Sequence, residues 1–262
     1  MSSIGRIQSA YLTDRGQVRD HNEDFVIAHE PQTEEQEAQD GWVYVVADGV
    51  GGADAGEVAS SFASEKAIGH FLQTSEVHDM GSRLKKAVES AHVDLCTLID
   101  KRQDERRMGT TMVATAIQDD SVAIANVGDS RGYLISNGVI TQVTKDHSLV
   151  AKLLEEGIVT ADEAEALNIG NIILQSIGSE QPPVVDIFTL SLKDNDCLLL
   201  CSDGLTNHVA DDEMNEIVSN YSPEEAAREL VDLANSRGGH DNITVLILKY
   251  DLAVASANEL SD

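Results

Sequence analysis

Trp42-Val43-Tyr44-Val45-Val46-Ala47-Asp48-Gly49 is an apolar run of strand length that stops on an aspartate and a glycine. Without polar alternation, such a run reads as a strand covered on both faces. The pattern recurs: Ser121–Val127 runs into Gly128-Asp129, and Cys197–Cys201 into Ser202-Asp203-Gly204. Elsewhere the order reverses, with Glu23-Asp24 before Phe25–Ala28 and Asp241-Asn242 before Ile243–Leu248. Any one of these is ordinary turn chemistry. For all to converge, strands ending in Asp must lie against strands beginning with Asp. That demands antiparallel pairing and a sandwich-like architecture rather than an all-parallel sheet.

Further strands are expected at Thr111–Ile117 and Tyr133–Ser136. Helical spacing predicts helices over Glu57–Gln73 and Ser82–Asp100, the latter with Leu84, Val88, Ala91, Leu95 and Leu98 on one face. Ser222-Pro223-Glu224-Glu225 is a capping box with Pro at the first helical position. It opens a helix whose buried face carries Ala226, Ala227, Leu230, Val231 and Ala234. Residues 148–168 read as a helical pair, and the acidic stretch 29–41 as a solvated hairpin loop.

The chain has 262 residues, about 1.7 domains by length alone. No internal repeat or Pro/Gly/Ser linker divides it, so a single domain over 1–252 is expected, with a flexible tail at 253–262. Hydrophobic residues make up 42% and suffice for a core, while aromatics at 4% leave it to Val, Ile, Leu and Ala. Lys+Arg 18 against Asp+Glu 46 gives a formal charge of −28. Nucleic acid and anionic membrane are therefore disfavoured as partners. Three cysteines, Cys96, Cys197 and Cys201, form no CxxC pair and point to a reducing compartment. No signal-peptide pattern or membrane span is visible, so a cytoplasmic, monomeric protein is expected.

Clustered carboxylates repel one another and raise one another's pKa. Divalent cations relieve this, and Asp oxygens with a backbone carbonyl and water suit Mg²⁺ or Mn²⁺. With no CxxC and no HExxH, a thiolate or imidazole zinc site is disfavoured. Two such ions can clamp a phosphoryl group for in-line attack. Arg19, four residues before Glu23, is the candidate cation to grip the phosphate, against the alternative of a surface arginine paired with nearby acids.

In order along the chain stand Arg19-x-x-Asn22-Glu23-Asp24, Val46-Ala47-Asp48-Gly49-Val50-Gly51-Gly52, Gly109-Thr110-Thr111, Val127-Gly128-Asp129-Ser130-Arg131, Asp146-His147-Ser148, Ser202-Asp203-Gly204-Leu205 and Gly239-His240-Asp241-Asn242-Ile243-Thr244. Each motif is weak alone, but their order and spacing resemble the metal-dependent protein serine/threonine phosphatases of type 2C, in their compact bacterial form. The resemblance implies an α+β fold, a four-layer αββα sandwich of two mainly antiparallel sheets flanked by helices. It implies two Mn²⁺ or Mg²⁺ ions between the sheets, and a hydroxide bridging them that attacks phosphoserine or phosphothreonine directly. Asp48 would bridge both ions, the Gly49 carbonyl would serve one, and Asp203 and Asp241 the other. Glu23 and Asp24 match acids that hold metal-bound waters. Asp129, with Asp203 shared, matches the site of a weaker third ion. Arg19 would bind substrate phosphate, Asn242 would orient Asp241, and residues 148–178 match a flap beside the site. The expected partners are phosphorylated proteins, substrates of a Ser/Thr kinase in a signalling role. One departure matters: larger relatives carry a His after the Asp-Gly, where this chain has Val50. The leaving alkoxide would then take its proton from a metal-bound water, His21 or His147.

Two motifs mislead. Gly128-Asp129-Ser130-Arg131-Gly132 spells GxSxG, but a strand-like Tyr133-Leu134-Ile135 follows where a nucleophile elbow needs a helix. Gly49-Val50-Gly51-Gly52 resembles a dinucleotide loop, but Asp54 replaces the third glycine and Asp48 would repel a pyrophosphate. His208 and His240, beside the acidic motifs, read as hydrogen-bonding partners. The rival readings are a degenerate phosphatase-like module that binds phosphoprotein with little turnover, and a metal-dependent nuclease. The intact Asp48, Asp203 and Asp241 weigh against the first, and the charge against the second.

Overall fold

The computed structural model describes residues 7–51, 54–74, 79–102, 108–160, 163–164 and 172–252. One sheet runs β1 (Ile7–Asp14), β11 (Ile243–Tyr250), β10 (Cys197–Cys201), β7 (Arg131–Ser136) and β8 (Val139–Gln142). The other runs β2 (Asp24–His29), β3 (Trp42–Val50), β5 (Met112–Gln118), β6 (Ser121–Val127) and β9 (Asp186–Ser191), with the short β4 (Gly109–Thr110) against the end of β3. Every pairing between these strands is antiparallel, as the placement of the aspartates requires.

The unbroken apolar runs follow from burial on both faces. Along β3, Trp42, Tyr44 and Val46 point into the seam between the sheets, where they meet Leu198, Leu200, Leu246 and Leu248. Val43 and Val45 face the opposite way, onto α2 (Asp54–Gln73) and α3 (Met80–Arg102). Small residues recur in that outer layer: Ala55, Ala59, Ala63 and Ala67 along α2 lie in one cluster with Ala114, Ala116, Ala123 and Ala125 of the sheet, and Phe71, Leu84 and Leu95 fill it out. On the other side Cys197, Leu199 and Cys201 pack with α6 (Asp211–Asn220) and α7 (Pro223–Ser236). The cysteines are thus packing residues, and all three thiols are free. Helix, sheet, sheet, helix is the layer order expected from the resemblance.

The 29–41 connection differs from a plain loop. Its middle is a short helix, α1 (Glu34–Asp40), capped by Thr33, whose hydroxyl accepts the Gln36 N–H at 3.2 Å. Acidic side chains in its first turn favour the positive end of the helix dipole. Glu37 is buried, and Trp42 Nε1 donates to it at 3.3 Å, which fastens α1 to the start of β3. Of the helical pair expected at 148–168, α4 (Leu149–Glu155) is the first member, and the second falls mostly outside the described residues. The middle of the flap, 161–162 and 165–171, and the tail 253–262 also lie outside them.

Candidate metal centre

The strand ends bring the acids together. Asp24, at the start of β2, is the direct cross-strand partner of Asp48, near the end of β3. Asp203 opens α5 (Asp203–Thr206) immediately after β10, and Asp241 precedes β11, the neighbour of β10. Asp129 follows β6 on the turn into β7, so it crosses from one sheet to the other.

Two glycines let the backbone close around this point. A Cβ on Gly49 would overlap the Gly56 carbonyl at the start of α2, and one on Gly204 would overlap the Asn242 carbonyl. Gly49 N–H donates to Glu23 O at 3.1 Å, and Ser60 Oγ donates to the same oxygen at 2.6 Å. The Glu23 backbone is thereby locked beside Asp48.

The electrostatics are those of crowded anions. Burial pushes the Asp48 carboxyl well above the usual range, and the charges of Asp24, Asp203, Asp129 and Asp241 push it further. Asp24 is raised to about 7, first by burial and against hydrogen bonds from Ser202 and Thr244. Asp129 is also raised to about 7, by burial and then by Asp203 and Asp146. Asp203 is raised by burial and by Asp241, although Asn207 and Asp48 hydrogen-bond to it. Burial raises Glu23 against the pull of Arg19. One carboxylate oxygen each of Glu23, Asp24, Asp129 and Asp203 is buried with no hydrogen-bond partner. Such atoms are costly unless something else satisfies them, and a divalent cation with its waters fits an all-oxygen donor set. Among the described residues no three such side chains form a coordination shell by themselves. Mg²⁺-like ions keep several waters and take few carboxylates, so a sparse set of oxygens is the form such a site takes.

Arg19 reaches this cluster, but to an acid: its Nη2 lies 2.7 Å from Asp241 Oδ2. Arginine and aspartate are both partly exposed. Asn242 works through both its parts. Its backbone N–H donates to Asp241 Oδ1 at 2.8 Å, while its side chain donates to Arg15 O and His21 O and accepts from Glu23 N. It therefore ties the loop carrying Arg19 to the acid that Arg19 pairs with.

Sequence reasoning missed two hydroxyls. Ser202 Oγ donates to Asp24 Oδ2 at 2.7 Å and accepts from Thr244 N at 3.0 Å. Thr111 Oγ1 accepts the Asp48 N–H at 3.1 Å and lies 2.7 Å from Ser130 Oγ, linking the Asp48 strand to the Asp129 turn. Both stand in motifs that carry the resemblance, Gly109-Thr110-Thr111 and Ser202-Asp203-Gly204-Leu205, but neither was given a role. Ser130 is wholly buried, bonded to Thr111, and followed by β7, which is no place for a nucleophile. His208 and His240 stack at 5.1 Å, and His208 Nε2 accepts the His240 N–H at 3.2 Å. His147 is buried with both ring nitrogens engaged, which removes it as a proton donor to substrate. His21 is exposed and close enough for its charge to act on Glu23.

An αββα sandwich with buried carboxylates gathered at the ends of its central strands suits a metal-dependent hydrolase of phosphate esters. The Protein phosphatase 2C family matches residues 11–155 and 175–243, and the chain belongs to that family. It is 39% identical over 250 residues to the serine/threonine phosphatase stp of Listeria monocytogenes, covering 94% of this chain and 97% of the relative. The serine/threonine phosphatase PstP/Ppp of Mycobacterium tuberculosis superposes with a TM-score of 0.82 at 32% identity, covering 94% of this chain and 99% of that one. A PstP catalytic domain in complex with two manganese ions superposes with a TM-score of 0.80 at 32% identity, covering 94% and 98%.

Proposed function

We propose that Asp48 bridges two divalent ions, that the Gly49 carbonyl serves one of them, and that Asp203 and Asp241 serve the other. Glu23 and Asp24 hold the waters around them, and Asp129, sharing Asp203, takes a weaker third ion. What carries this assignment is the crowding of buried Asp48 by Asp24, Asp203, Asp129 and Asp241, with unsatisfied carboxylate oxygens on Glu23, Asp24, Asp129 and Asp203 around it. The protein is a metal-dependent phosphatase of phosphoserine and phosphothreonine in proteins, and its cofactor is Mn²⁺ or Mg²⁺. When bound, the ions supply a nucleophile at neutral pH and neutralise charge on the phosphoryl oxygens.

The chain's own groups do the rest. Arg19, partly exposed and on a loop, exchanges Asp241 for a phosphate oxygen of the substrate. Ser202 and Thr111 hold Asp24 and Asp48 in place while charge moves. Asn242 keeps Asp241 oriented when Arg19 leaves it. With His147 engaged through both ring nitrogens, the proton for the leaving alkoxide comes from a metal-bound water or from His21, which is exposed beside Glu23. The binding-module alternative loses its footing, because the relatives carry phosphatase names and a module that only binds needs no buried nest of acids.

The biological setting extends this reading. The protein acts as a monomer in the cytoplasm, within a signalling pair that includes a Ser/Thr kinase. Among the described residues no helix is long and apolar enough to cross a membrane.

Purified protein is expected to hydrolyse an aryl phosphate and a phosphothreonine peptide with added Mn²⁺ or Mg²⁺, and to stop in EDTA. Full turnover in EDTA would overturn the metal assignment. Arg19→Ala is expected to raise KM for the phosphopeptide roughly tenfold, the scale of a lost charge-assisted hydrogen bond, with a smaller change in kcat. An unchanged KM would remove Arg19 from the phosphate.

A further inference from the structure

His147 grips the Gly128–Asp129 turn at both the N–H and the carbonyl of Gly128, beside an Asn126 Nδ2 bond to Gly128 O at 3.2 Å. Gly128 N–H points at His147 Nδ1, 3.2 Å away, and Gly128 O accepts the His147 N–H at 2.9 Å. Gly128 has φ +105, and a Cβ there would strike Thr111, so this turn requires glycine. A backbone N–H can only donate, so His147 Nδ1 is unprotonated. The ring proton then lies on Nε2, which is 3.1 Å from Asp186 Oδ2 at the start of β9. The same residue holds the flap base. His147 O accepts Leu174 N–H at 2.7 Å, Ser148 bridges Ile173, and Leu149 N–H donates to Ile172 O at 2.8 Å. Asp146, one residue earlier, grips Arg131 with three hydrogen bonds and pins the far side of the turn.

We infer that His147 is a positioning residue whose imidazole, as the Nε2–H tautomer held by Asp186, sets the Asp129 turn, while its backbone carbonyl ties that same residue to the base of the flap. The inference rests on the reading of Asp129 as a cation ligand. It gives the buried histidine a task distinct from proton transfer to substrate: it fixes the Gly128 backbone from which the Asp129 side chain projects.

The test uses the full chain labelled with ¹⁵N-histidine and titrated with Mg²⁺ alone. Wild type is expected to show His147 with an unprotonated Nδ1 and a protonated Nε2; an Nδ1–H tautomer or a mixture would overturn the inference. By calorimetry, His147→Leu is expected to weaken the weakest bound ion about tenfold or more, the usual cost of losing an outer partner of a metal ligand. His147→Asn, whose carbonyl oxygen can take the Gly128 N–H, is expected to recover most of that affinity. Equal losses in both variants, or no loss in His147→Leu, would overturn it. If His147→Leu does not fold, Asp186→Ala decides, with several-fold weaker binding expected and unchanged binding counting against. Asp129→Asn separates the two readings: if it leaves ion binding intact, Asp129 is not a ligand, while the tautomer measurement still judges His147.

Discussion

Asp48→Asn is expected to abolish turnover, by at least about a thousandfold, while the fold survives. The scale follows from several kcal/mol of transition-state charge stabilisation that depend on the cations Asp48 would hold. The amide keeps the shape of the side chain and can still sit on the Thr111 side of β3, because the bond to Thr111 uses the Asp48 backbone. What it removes is a negative charge from a point where Asp24, Asp203, Asp129 and Asp241 all press against it. In EDTA the variant should therefore melt at the same temperature as wild type or higher, since a crowded buried anion costs stability. Asp203→Ala and Asp241→Ala are expected to lose activity on the same scale, and Asp241→Ala also frees Arg19 from its 2.7 Å partner. The checks are turnover of the phosphopeptide at saturating Mn²⁺ and melting in EDTA. Retention of a tenth of wild-type turnover in Asp48→Asn would remove Asp48 from the centre.

What could be read from the residues follows burial. The strands foreseen in the sheet interiors, such as β3, β6 and β10, are covered on both faces and so consist of little but apolar side chains. The strands not foreseen are β1, β4, β8 and β9; β4 is only two residues long, and each of the other three lies at the edge of its sheet. An edge strand keeps one side towards water, and Ile7–Asp14, with Gln8, Ser9 and Thr13 among its residues, carries too much polarity to stand out. Helix α1 had no apolar stripe to find, yet Thr33-Glu34-Glu35-Gln36 is a cap signature that went unread. Helix α6 was missed too, with only Met214 and Val218 buried. At the site, the acids were legible because they sit where strands stop. The hydroxyls that hold them were not, since a serine or threonine beside an acid is common in any turn. The Arg19–Asp241 pair was out of reach, because local sequence does not say which acid a loop arginine meets.

Stability of the metal-free protein is expected to fall as pH rises from about 4 to about 7, and Mn²⁺ is expected to reverse the trend. Asp24 and Asp129 each have an ordinary value of 3.8 and are raised to about 7 in the fold. Below the lower value both folded and unfolded chains are protonated there, and these groups contribute no pH dependence. Between the two values the folded chain holds protons that the unfolded chain has released, so raising the pH favours unfolding. Above the upper value the folded chain bears the full cost of burying the charges. A displacement of about three units corresponds to on the order of 4 kcal/mol for a single group, and neighbouring acids prevent simple addition across the cluster. A divalent cation takes the place of those protons, so its stabilising effect grows over the same window and its binding releases protons. Melting temperatures in EDTA and in excess Mn²⁺ at pH 5 and pH 7.5 should therefore diverge, the gap widening at the higher pH. The overall charge of −28 also favours unfolding as acids ionise, so the local effect needs its own control. Asp129→Asn removes one raised group while changing the net charge by a single unit, and it should visibly flatten the EDTA curve. A wild-type curve that stays level or climbs through this range would mean that the acids are not buried together as charges in need of a cation.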